Sequence, residues 1–575
     1  MKEFIFLWNP DKTSVYLPES FKSQFAEDQA EIPLIFIDDN GNKESFIYNL
    51  VHNSIQLKAL QGWVNDFQPN KNEKIVLIHQ GGFVYKITIS GREEKQYEGL
   101  YLGKIKDDFN QSVSNRNFVL PQEDLVTHVF ICGATGSGKT VLGKSIIEEA
   151  AIKGIPSIIV DLKGDLSSLG ILFPRYNSKN ISPWLNVPSD RKEKKAEELT
   201  QTNNENRSEF GFDEKMVNQY ISKISVAVFT PKSDKGIQLA ISSPLAAPSD
   251  IENMFNTNRG EVLEMIGSLT ESFIKNLFAE KKIGRLDKYK TFLQEIVRYC
   301  WEKKIDLSGK KGLRTIQAFI NEPPIVEIGG MPLNEFVNNN MRTELASRIA
   351  MCLSGVEQLW FEGVPLKIDK ILQRPKSENG KTPVSIINIA DLSFDEQMYV
   401  TSQLAYSLYN WIRPKGGSGD EPRIIFFIDE IGGGGGKQAF YPSFPYDPPS
   451  KPPLNILIKK GRAFGLSCIL SSQNPGDIDY KGLSNCGTWA VGKLQTERDR
   501  KKIMEGISTS NIFIDNIKKK LEGINFNDFL IKTKDGKIAF VKERWLVSYH
   551  DTVASDDLKK VNKHDIVEHF SQKPS

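Results

Sequence analysis

The chain has 575 residues, of which 39% are hydrophobic and 25% are charged. These proportions exclude a disordered or fibrous chain, and the length predicts several domains or one domain with large insertions. The 74 Lys and Arg and the 72 Asp and Glu give a net charge of +2, which leaves a nucleic-acid partner open because a basic channel can be local.

Cysteine usage and hydropathy limit the location of the protein. The five cysteines are scattered without a C-x-x-C pair, which argues against a disulfide framework or a zinc site. No apolar run approaches the length of a membrane span, and the N-terminus has charged residues where a signal peptide needs an apolar core. We therefore expect a cytoplasmic protein with no membrane span.

Residues 1–120 alternate short apolar runs with turn residues, which predicts a small, mostly-β N-terminal domain. The runs Lys2–Leu7, Ile32–Ile37, Lys74–Ile78 and Phe83–Ile89 illustrate the pattern. Such a domain either docks a partner or contacts DNA, or it is a structural cap. We favour docking or oligomer contacts.

Residues 121–250 contain a candidate phosphate-binding loop and form the first part of a predicted ATPase domain. An apolar strand, Val129–Cys132, precedes the G-x-x-x-x-G-K-[ST] motif, and Val141–Ala150 have helical spacing. Strand, loop and helix in this order are the context that the motif requires. The predicted nucleotide-binding residues are Gly133, Ala134, Thr135, Gly136, Ser137, Gly138, Lys139, Thr140 and Val141.

The residue types in this loop suit a polyphosphate. Gly133, Gly136 and Gly138 let the backbone turn with its N–H groups inward, at the positive end of the following helix. Lys139 adds a positive charge for the β- and γ-phosphates, and the Thr140 hydroxyl can ligate Mg²⁺.

A second buried strand, Ser157–Asp161, ends in an acid and is followed by Lys163-Gly-Asp165. The carboxyl ends of parallel strands are where α/β sheets bind ligands, so Asp161 or Asp165 could contact Mg²⁺ or its water shell. Each acid alone could equally be a helix cap. Residues 190–214 are charged and polar, which predicts a solvated linker or an exposed helix.

Residues 251–375 change to helical spacing, which predicts a helical insertion packed on the ATPase domain. One apolar stripe within Glu261–Phe278 is predicted to contain Val262, Leu263, Ile266, Leu269, Phe273, Ile274 and Leu277.

Strand patterns return in residues 376–550, the second part of the predicted ATPase domain, and residues 551–575 are predicted to form a C-terminal tail. The apolar run Arg423–Glu430 ends in Asp-Glu. We expect Asp429 to hold the Mg²⁺ shell and Glu430 to polarise the attacking water. The five glycines Gly432–Gly436 predict a flexible loop that either faces DNA or a neighbouring subunit or is an ordinary surface loop.

Two further polar residues are candidates. Gln473, at the end of the apolar run Ser467–Gln473, could sense the γ-phosphate or the water through a hydrogen bond. Arg462 has the permanent charge and forked donors that an arginine finger needs. With Lys459 and Lys460 it could equally form a solvated basic face.

As a set, several of these motifs resemble the HerA/FtsK branch of RecA-like ATPases, and HerA-type DNA translocases in particular. They are Gly133–Thr140, Asp161–Asp165, Phe427–Glu430, Gly461-Arg462 and Ser471–Pro475. Gly329–Glu335, Leu353–Pro365 and Arg544–His550 also resemble those relatives, and the resemblance spans roughly residues 115–550.

The resemblance implies an α/β fold: a RecA-like P-loop NTPase sheet with a helical insertion and a small mostly-β N-terminal domain. It implies a homohexameric ring with ATP and Mg²⁺ between subunits and double-stranded DNA in the central channel. Lys139, Thr140, Asp429 and Glu430 would lie in the ATP site, with Gln473 as a sensor and Arg462 reaching a neighbour's nucleotide.

The resemblance also implies a nuclease or another effector partner, in DNA-end processing or anti-phage defence. The chain departs from the family pattern after Glu430, where relatives often have Ala-His and this chain has glycines. Two other functions remain open: an ATP-binding ring platform that assembles and regulates an effector, and a secretion or conjugation coupling ATPase.

Overall fold

A computed structural model of the chain describes residues 3–9, 11–25, 30–37, 43–56, 60, 63–64, 74–81, 83–89, 99–106, 113–241, 245–248, 250–278, 286–433, 438–507, 517 and 521–571. The chain divides into two compact units. The first contains Met1–Pro121 with Ala539–Lys542, and the second contains Gln122–Ile538 with Glu543–Ser575.

The first unit is mostly β, as the sequence predicted. Its elements are β1 (Glu3–Leu7), β2 (Ser14–Tyr16), α1 (Glu19–Lys22), β3 (Glu31–Ile37), β4 (Lys43–Asn49), β5 (Ser54–Gln56), β6 (Lys74–Gly81), β7 (Val84–Ile89), β8 (Gly99–Lys106) and β9 (Val113–Pro121). One sheet has the order β1-β6-β7-β3-β4-β5-β2, and β8 pairs antiparallel with β9. Alternation along β3 buries Ile32, Leu34 and Phe36 in the core on one face of this sheet.

The strands of the second unit form a large parallel sheet and a small hairpin. In chain order they are β10 (Val129–Cys132), β11 (Ser157–Asp161), β12 (Ile224–Pro231), β13 (Ile237–Ala240), β14 (Glu327–Ile328), β15 (Met331–Pro332), β16 (Val364–Pro365), β17 (Thr382–Asn388), β18 (Ile424–Ile428), β19 (Leu466–Ser472), β20 (Thr488–Val491) and β21 (Asp528–Lys532). A last strand, β22 (Ile538–Glu543), belongs to the first unit through Ala539–Lys542.

The sheet order in this unit is β16-β13-β12-β17-β11-β18-β19-β10-β20-β21. Pairs from β16 to β20 are parallel, and β21 pairs antiparallel with β20. Every residue of β11, β18 and β19 is buried. Continuous apolar runs are expected for parallel strands because helices cover both faces of such a sheet. The structure therefore confirms the α/β fold.

Helices account for much of the remaining second unit. They are α2 (Lys139–Ile152), α3 (Ser178–Ile181), α4 (Ser189–Glu209), α5 (Glu214–Lys223), α6 (Ile251–Thr257), α7 (Arg259–Leu277), α8 (Leu286–Glu302), α9 (Gly309–Asn321), α10 (Leu333–Phe336), α11 (Asn339–Cys352), α12 (Ile368–Ile371), α13 (Phe394–Ile412), α14 (Lys451–Lys460), α15 (Tyr480–Leu483), α16 (Glu497–Ile507), α17 (Leu558–Val561) and α18 (His564–Ser571). The charged segment 190–214 is thus largely helical, in agreement with one of its two predicted states.

The apolar stripe of α7 was predicted with one wrong member. Leu263 is 44% exposed, whereas Val262, Ile266 and Phe273 are buried. Leu263 lies near the N-terminal end of α7, where this side of the helix is exposed, whereas Ile274, on the same side three turns later, is buried. Met265, which is fully buried, belongs to the stripe instead.

Candidate nucleotide-binding site

The predicted phosphate loop lies between the end of β10 and the start of α2. Gly136 and Gly138 have φ values of 77° and 97°, in the region that disfavours residues with a Cβ. A Cβ on Gly133 would lie 2.5 Å from Ser137 Oγ, and one on Gly138 would lie 2.5 Å from Glu543 Oε1. The backbone conformation and the nearby side chains therefore favour glycine at these positions of the motif.

The side chains of the loop fit a polyphosphate. The Ser137 hydroxyl is buried and has no hydrogen-bond partner among the described residues. Lys139 is also buried, and its Nζ donates to the carbonyl of Ala134 at 3.0 Å. Burial lowers the pKa of Lys139, while the nearby carboxylates of Glu430 and Asp429 act in the opposite direction. A buried ammonium and an orphaned hydroxyl beside a glycine-rich turn suit an anionic ligand.

The two predicted metal ligands come together. The hydroxyl of Thr140 donates to Asp429 Oδ2 at 2.8 Å, although the two residues are far apart in the sequence. Asp429 Oδ1 accepts a hydrogen bond from the Ser471 hydroxyl at the end of β19. A hydroxyl and a carboxylate are oxygen ligands of the type that Mg²⁺ takes, together with waters and substrate phosphates. This pair therefore fits the expected metal.

Glu430 is held in a strained backbone conformation. Its φ is 67°, a value that is uncommon for a residue with a long side chain and that recurs at functional sites. The backbone N–H of Glu430 donates to Ser471 Oγ at 3.2 Å, and its Oε1 accepts from the backbone N–H of Gln473 at 3.2 Å. Contacts from β19 thus fix the direction of this carboxylate.

Gln473 connects the acid to the phosphate loop. The hydroxyl of Thr135 donates to Gln473 Oε1 at 2.8 Å. The same residue therefore contacts the loop through its side chain and Glu430 through its backbone. The sensing role of Gln473 stays a prediction.

Sequence reasoning missed Lys163 as a site residue. Its Nζ lies 3.4 Å from Glu430 Oε2, so an ammonium group faces the second carboxylate oxygen. Lys163 follows β11, and Glu430 follows β18, the parallel neighbour of β11. The residues after two adjacent parallel strands meet at one edge of the sheet. The order of the strands, which the sequence does not state, would have been needed to find the pair.

Of the two roles that the sequence left open for Asp161, the hydrogen bonds of the structure show the local one. It is fully buried, and its Oδ2 accepts from the backbone N–H and the hydroxyl of Ser167 at 2.8 and 2.7 Å. Its Oδ1 accepts from Gly164 N at 2.8 Å. Asp161 therefore closes the turn after β11, because its oxygens are occupied there.

Asp165, the other acid considered, interacts electrostatically with Asp429 of the Thr140–Asp429 pair. Burial raises its pKa to about 6, and the charges of Asp161 and Asp429 act in the same direction.

Arg462 lies away from the phosphate loop of its own chain. It is exposed in a 3-10 turn, Gly461–Phe464, just before β19 begins, whereas Gln473 follows the other end of this strand. A strand of this length separates its ends by roughly 20 Å. Arg462 is therefore not brought together with the other predicted site residues within one chain.

The glycine run after Glu430 is described only at its start. Gly432 and Gly433 continue the turn, and Gly434–Gly436 lie outside the described residues. The predicted flexibility of this loop stays a prediction.

The fold and the site define a P-loop ATPase: a parallel α/β sheet with a phosphate loop after one strand and a paired Asp-Glu after another. The family described as "Helicase HerA, central domain" matches residues 116–408, just over half of the chain. The chain belongs to this family.

Solved structures with similar folds include VirB4 of Thermoanaerobacter pseudethanolicus, at 11% identity and a TM-score of 0.44, covering 78% of this chain and 96% of that one. The bacterial conjugative coupling protein TrwBdeltaN70, in its unbound monoclinic form, is similar at 12% identity and a TM-score of 0.41, covering 78% and 90%. Among curated proteins, none matches the chain.

A membrane-spanning helix was sought in the described part of the chain. None of its helices combines the length and the hydropathy that a crossing requires.

Proposed function

We propose that this protein hydrolyses ATP with Mg²⁺ and uses the energy to move on double-stranded DNA as a homohexameric ring. A nuclease or another effector would act beside it, in DNA-end processing or anti-phage defence. The observation that carries the ATPase proposal is the hydrogen-bonded connection from Thr135 through Gln473 to Glu430, beside the Thr140–Asp429 pair. It joins a phosphate-binding element to a fixed carboxylate.

The residues of the site have separate tasks in this proposal. Lys139 and the loop N–H groups bind and orient the phosphates, and Glu430 accepts a hydrogen bond from the attacking water and directs it at the γ-phosphorus. Thr140 and Asp429 would hold Mg²⁺, which supplies positive charge to the β- and γ-phosphate oxygens. Lys163 keeps the Glu430 side chain in its position through the ion pair.

The position of Arg462 supports the ring. An exposed guanidinium far from the phosphate loop of its own chain has no task in that site, yet it can contact a nucleotide bound by a neighbouring copy. An arginine supplied in trans stabilises the charge of a phosphoryl-transfer transition state. This geometry, together with family membership, favours catalysis between subunits.

The proposal is tested by measuring ATP hydrolysis with and without double-stranded DNA, at low and at high salt. We expect Mg²⁺-dependent hydrolysis that DNA stimulates at low salt, with stimulation lost at high salt because counterions compete for phosphate contacts. Lys139→Ala and Glu430→Gln should abolish turnover. Retained hydrolysis in either variant would refute the site.

The same assay separates the alternatives. Hydrolysis that is indifferent to DNA at both salt concentrations would contradict a DNA motor and favour a ring platform that organises an effector. If DNA has no effect but a protein substrate or a membrane-bound partner stimulates turnover, the protein would be a secretion or conjugation coupling ATPase.

A further inference from the structure

The two sides of the phosphate loop carry different groups. β10 lies between β19 and β20 in the sheet. Glu430 and Gln473 lie on the β19 side, so the γ-phosphate end of a bound nucleotide belongs there. On the other side, Lys493 follows β20, and its carbonyl accepts from Ala134 N at 2.6 Å. The ribose and base of a nucleotide held by this loop must therefore leave on the β20 side.

An exposed aromatic ring lies on this second side. Phe526 comes just before β21 and remains 54% exposed. Its Cε1 lies 3.9 Å from the position that a Cβ on Gly136 would take, so the ring stands directly beside the phosphate loop. The ammonium of Lys493 lies 4.6 Å from the ring centroid and covers one face. The exposed part of the ring is therefore open to a ligand that the phosphate loop holds.

The backbone next to Phe526 is fixed to the phosphate loop. Asn527 N donates to the carbonyl of Ser137 at 3.2 Å, and Asn527 O accepts from Glu543 N at 3.0 Å. Asn527 has a φ of 64°, a left-handed conformation that Asn tolerates better than most residues. These contacts hold the ring at a set position relative to the loop that would bind the phosphates.

We infer that Phe526 is the stacking platform for the base of the nucleotide bound at the phosphate loop, an inference that rests on the proposed ATP binding. An aromatic ring attracts a nucleobase through its π face, and every base offers such a face. Phe526 therefore strengthens the binding of nucleotides generally, without selecting adenine over guanine by hydrogen bonds.

The test compares ligands with and without a base. Calorimetry would measure the dissociation constants of ATP, GTP and inorganic tripolyphosphate for the full chain and for Phe526→Ala. The substitution should raise the dissociation constants of ATP and GTP by roughly tenfold or more, since stacking on an aromatic side chain contributes about that much to the affinity. Tripolyphosphate, which has phosphates but no base, should bind equally to both proteins.

Two further variants sharpen the comparison. Phe526→Trp should keep the affinity for ATP, and the fluorescence of the new indole should change with ATP and not with tripolyphosphate. Phe83→Ala removes a phenyl ring of similar exposure, 51%, from the first unit and should leave all three affinities unchanged.

The outcomes separate this inference from the proposed function. If the unmodified chain binds ATP and Phe526→Ala binds it equally well, Phe526 is not the platform and the ATPase proposal stands. Equal losses for ATP and tripolyphosphate would also overturn the inference, because the ring would then support the shape of the loop. If the unmodified chain binds neither ligand, the proposed function itself fails.

Discussion

The hydroxyl of Thr135 and the side-chain carbonyl of Gln473 form a 2.8 Å hydrogen bond that connects the phosphate loop to the end of β19. Because the backbone N–H of Gln473 also donates to Glu430, a change in the loop can reach the carboxylate through this residue. Thr135 and Gln473 therefore act as one unit in the site we describe.

This unit predicts non-additive kinetics. Thr135→Val and Gln473→Ala should each lower kcat for ATP hydrolysis by roughly five- to tenfold, the equivalent of one hydrogen bond, with little change in KM. The double variant should be no slower than the slower single variant, because each substitution already breaks the same contact. The control is Thr202→Val, which removes an exposed hydroxyl on α4 that donates a hydrogen bond to the carbonyl of Glu198. Additive losses in the double variant would show that the two residues act separately.

Lys163 should affect catalysis without affecting stability. Removing its ammonium in Lys163→Ala frees the Glu430 carboxylate to move, so we expect kcat to fall roughly tenfold. The free energy of unfolding should change by less than about 1 kcal/mol, since the lysine of this ion pair is half exposed and its charge is screened by water. Lys195 is equally exposed, at 48%, and pairs with Glu198 on α4. If Lys195→Ala slows hydrolysis as much as Lys163→Ala does, the ion pair with Glu430 has no special role.

The sequence predicted those parts of the site that depend on neighbouring residues. The loop from Gly133 to Thr140 and the Asp429-Glu430 pair each occupy a few consecutive positions, and strand and helix patterns around them are local. Lys163 and Phe526 could not be found in this way, because their relevance depends on the order of strands in the sheet. For Asp161 the local pattern left two roles open, and the choice between them needed the conformation of the turn that follows it, which occupies its oxygens.

Arg462 leads to a complementation test of the proposed shared site. A Lys139→Ala subunit has a disabled phosphate loop but keeps Arg462. An Arg462→Ala subunit keeps an intact phosphate loop but lacks the arginine. Each variant alone should be nearly inactive. The kcat of the Arg462→Ala variant should fall by roughly a thousandfold or more. Mixing the two should restore a fraction of the activity, because some interfaces then combine an intact loop with an intact finger.

The control for this mixture is a pair that cannot complement. Lys139→Ala mixed with Glu430→Gln should stay inactive, because both defects lie in the same nucleotide site of one chain. If the Arg462→Ala mixture also stays inactive although the variants assemble together, catalysis in trans by Arg462 is contradicted.

A buried ion pair fixes the segment after β22 to α2. Arg544 and Glu148 are both fully buried, with Nη2 and Oε2 2.8 Å apart. Glu148 also accepts from the backbone N–H groups of Val547 and Ser548, at 3.1 and 2.8 Å. Arg544→Met would leave the Glu148 carboxylate buried without the arginine. We expect the free energy of unfolding to fall by about 3–5 kcal/mol. Chemical denaturation measures this difference.

An exposed pair provides the comparison for Arg544. Lys537 pairs with Asp535 at 3.1 Å near the surface. Lys537→Met should therefore lower the free energy of unfolding by less than about 1 kcal/mol. Similar losses for the two variants would mean that the buried pair contributes little beyond a surface contact.

His128 joins three elements at the opposite end of β10 from the phosphate loop. Its Nδ1 accepts from Cys468 N at 3.1 Å, so the neutral ring carries its proton on Nε2, which donates to the carbonyl of Ile458 at 2.9 Å. A second proton on the ring would meet the N–H of Cys468. Burial, with a smaller effect of the nearby Arg462 charge, lowers the pKa of His128 from 6.5 to about 4.

This pKa shift predicts a loss of stability in mild acid. Well above pH 6.5 the His128 ring is neutral in both the folded and the unfolded chain. As the pH falls, the ring is protonated in the unfolded chain first, and in the folded chain only near pH 4. The free energy of unfolding should therefore fall by roughly 3 kcal/mol across this window. Denaturation of His128→Asn, which keeps an acceptor for Cys468 N, should show lower stability at neutral pH and a flatter pH dependence. His564→Asn, on the surface, should keep the original slope, and an unchanged slope in His128→Asn would contradict the prediction.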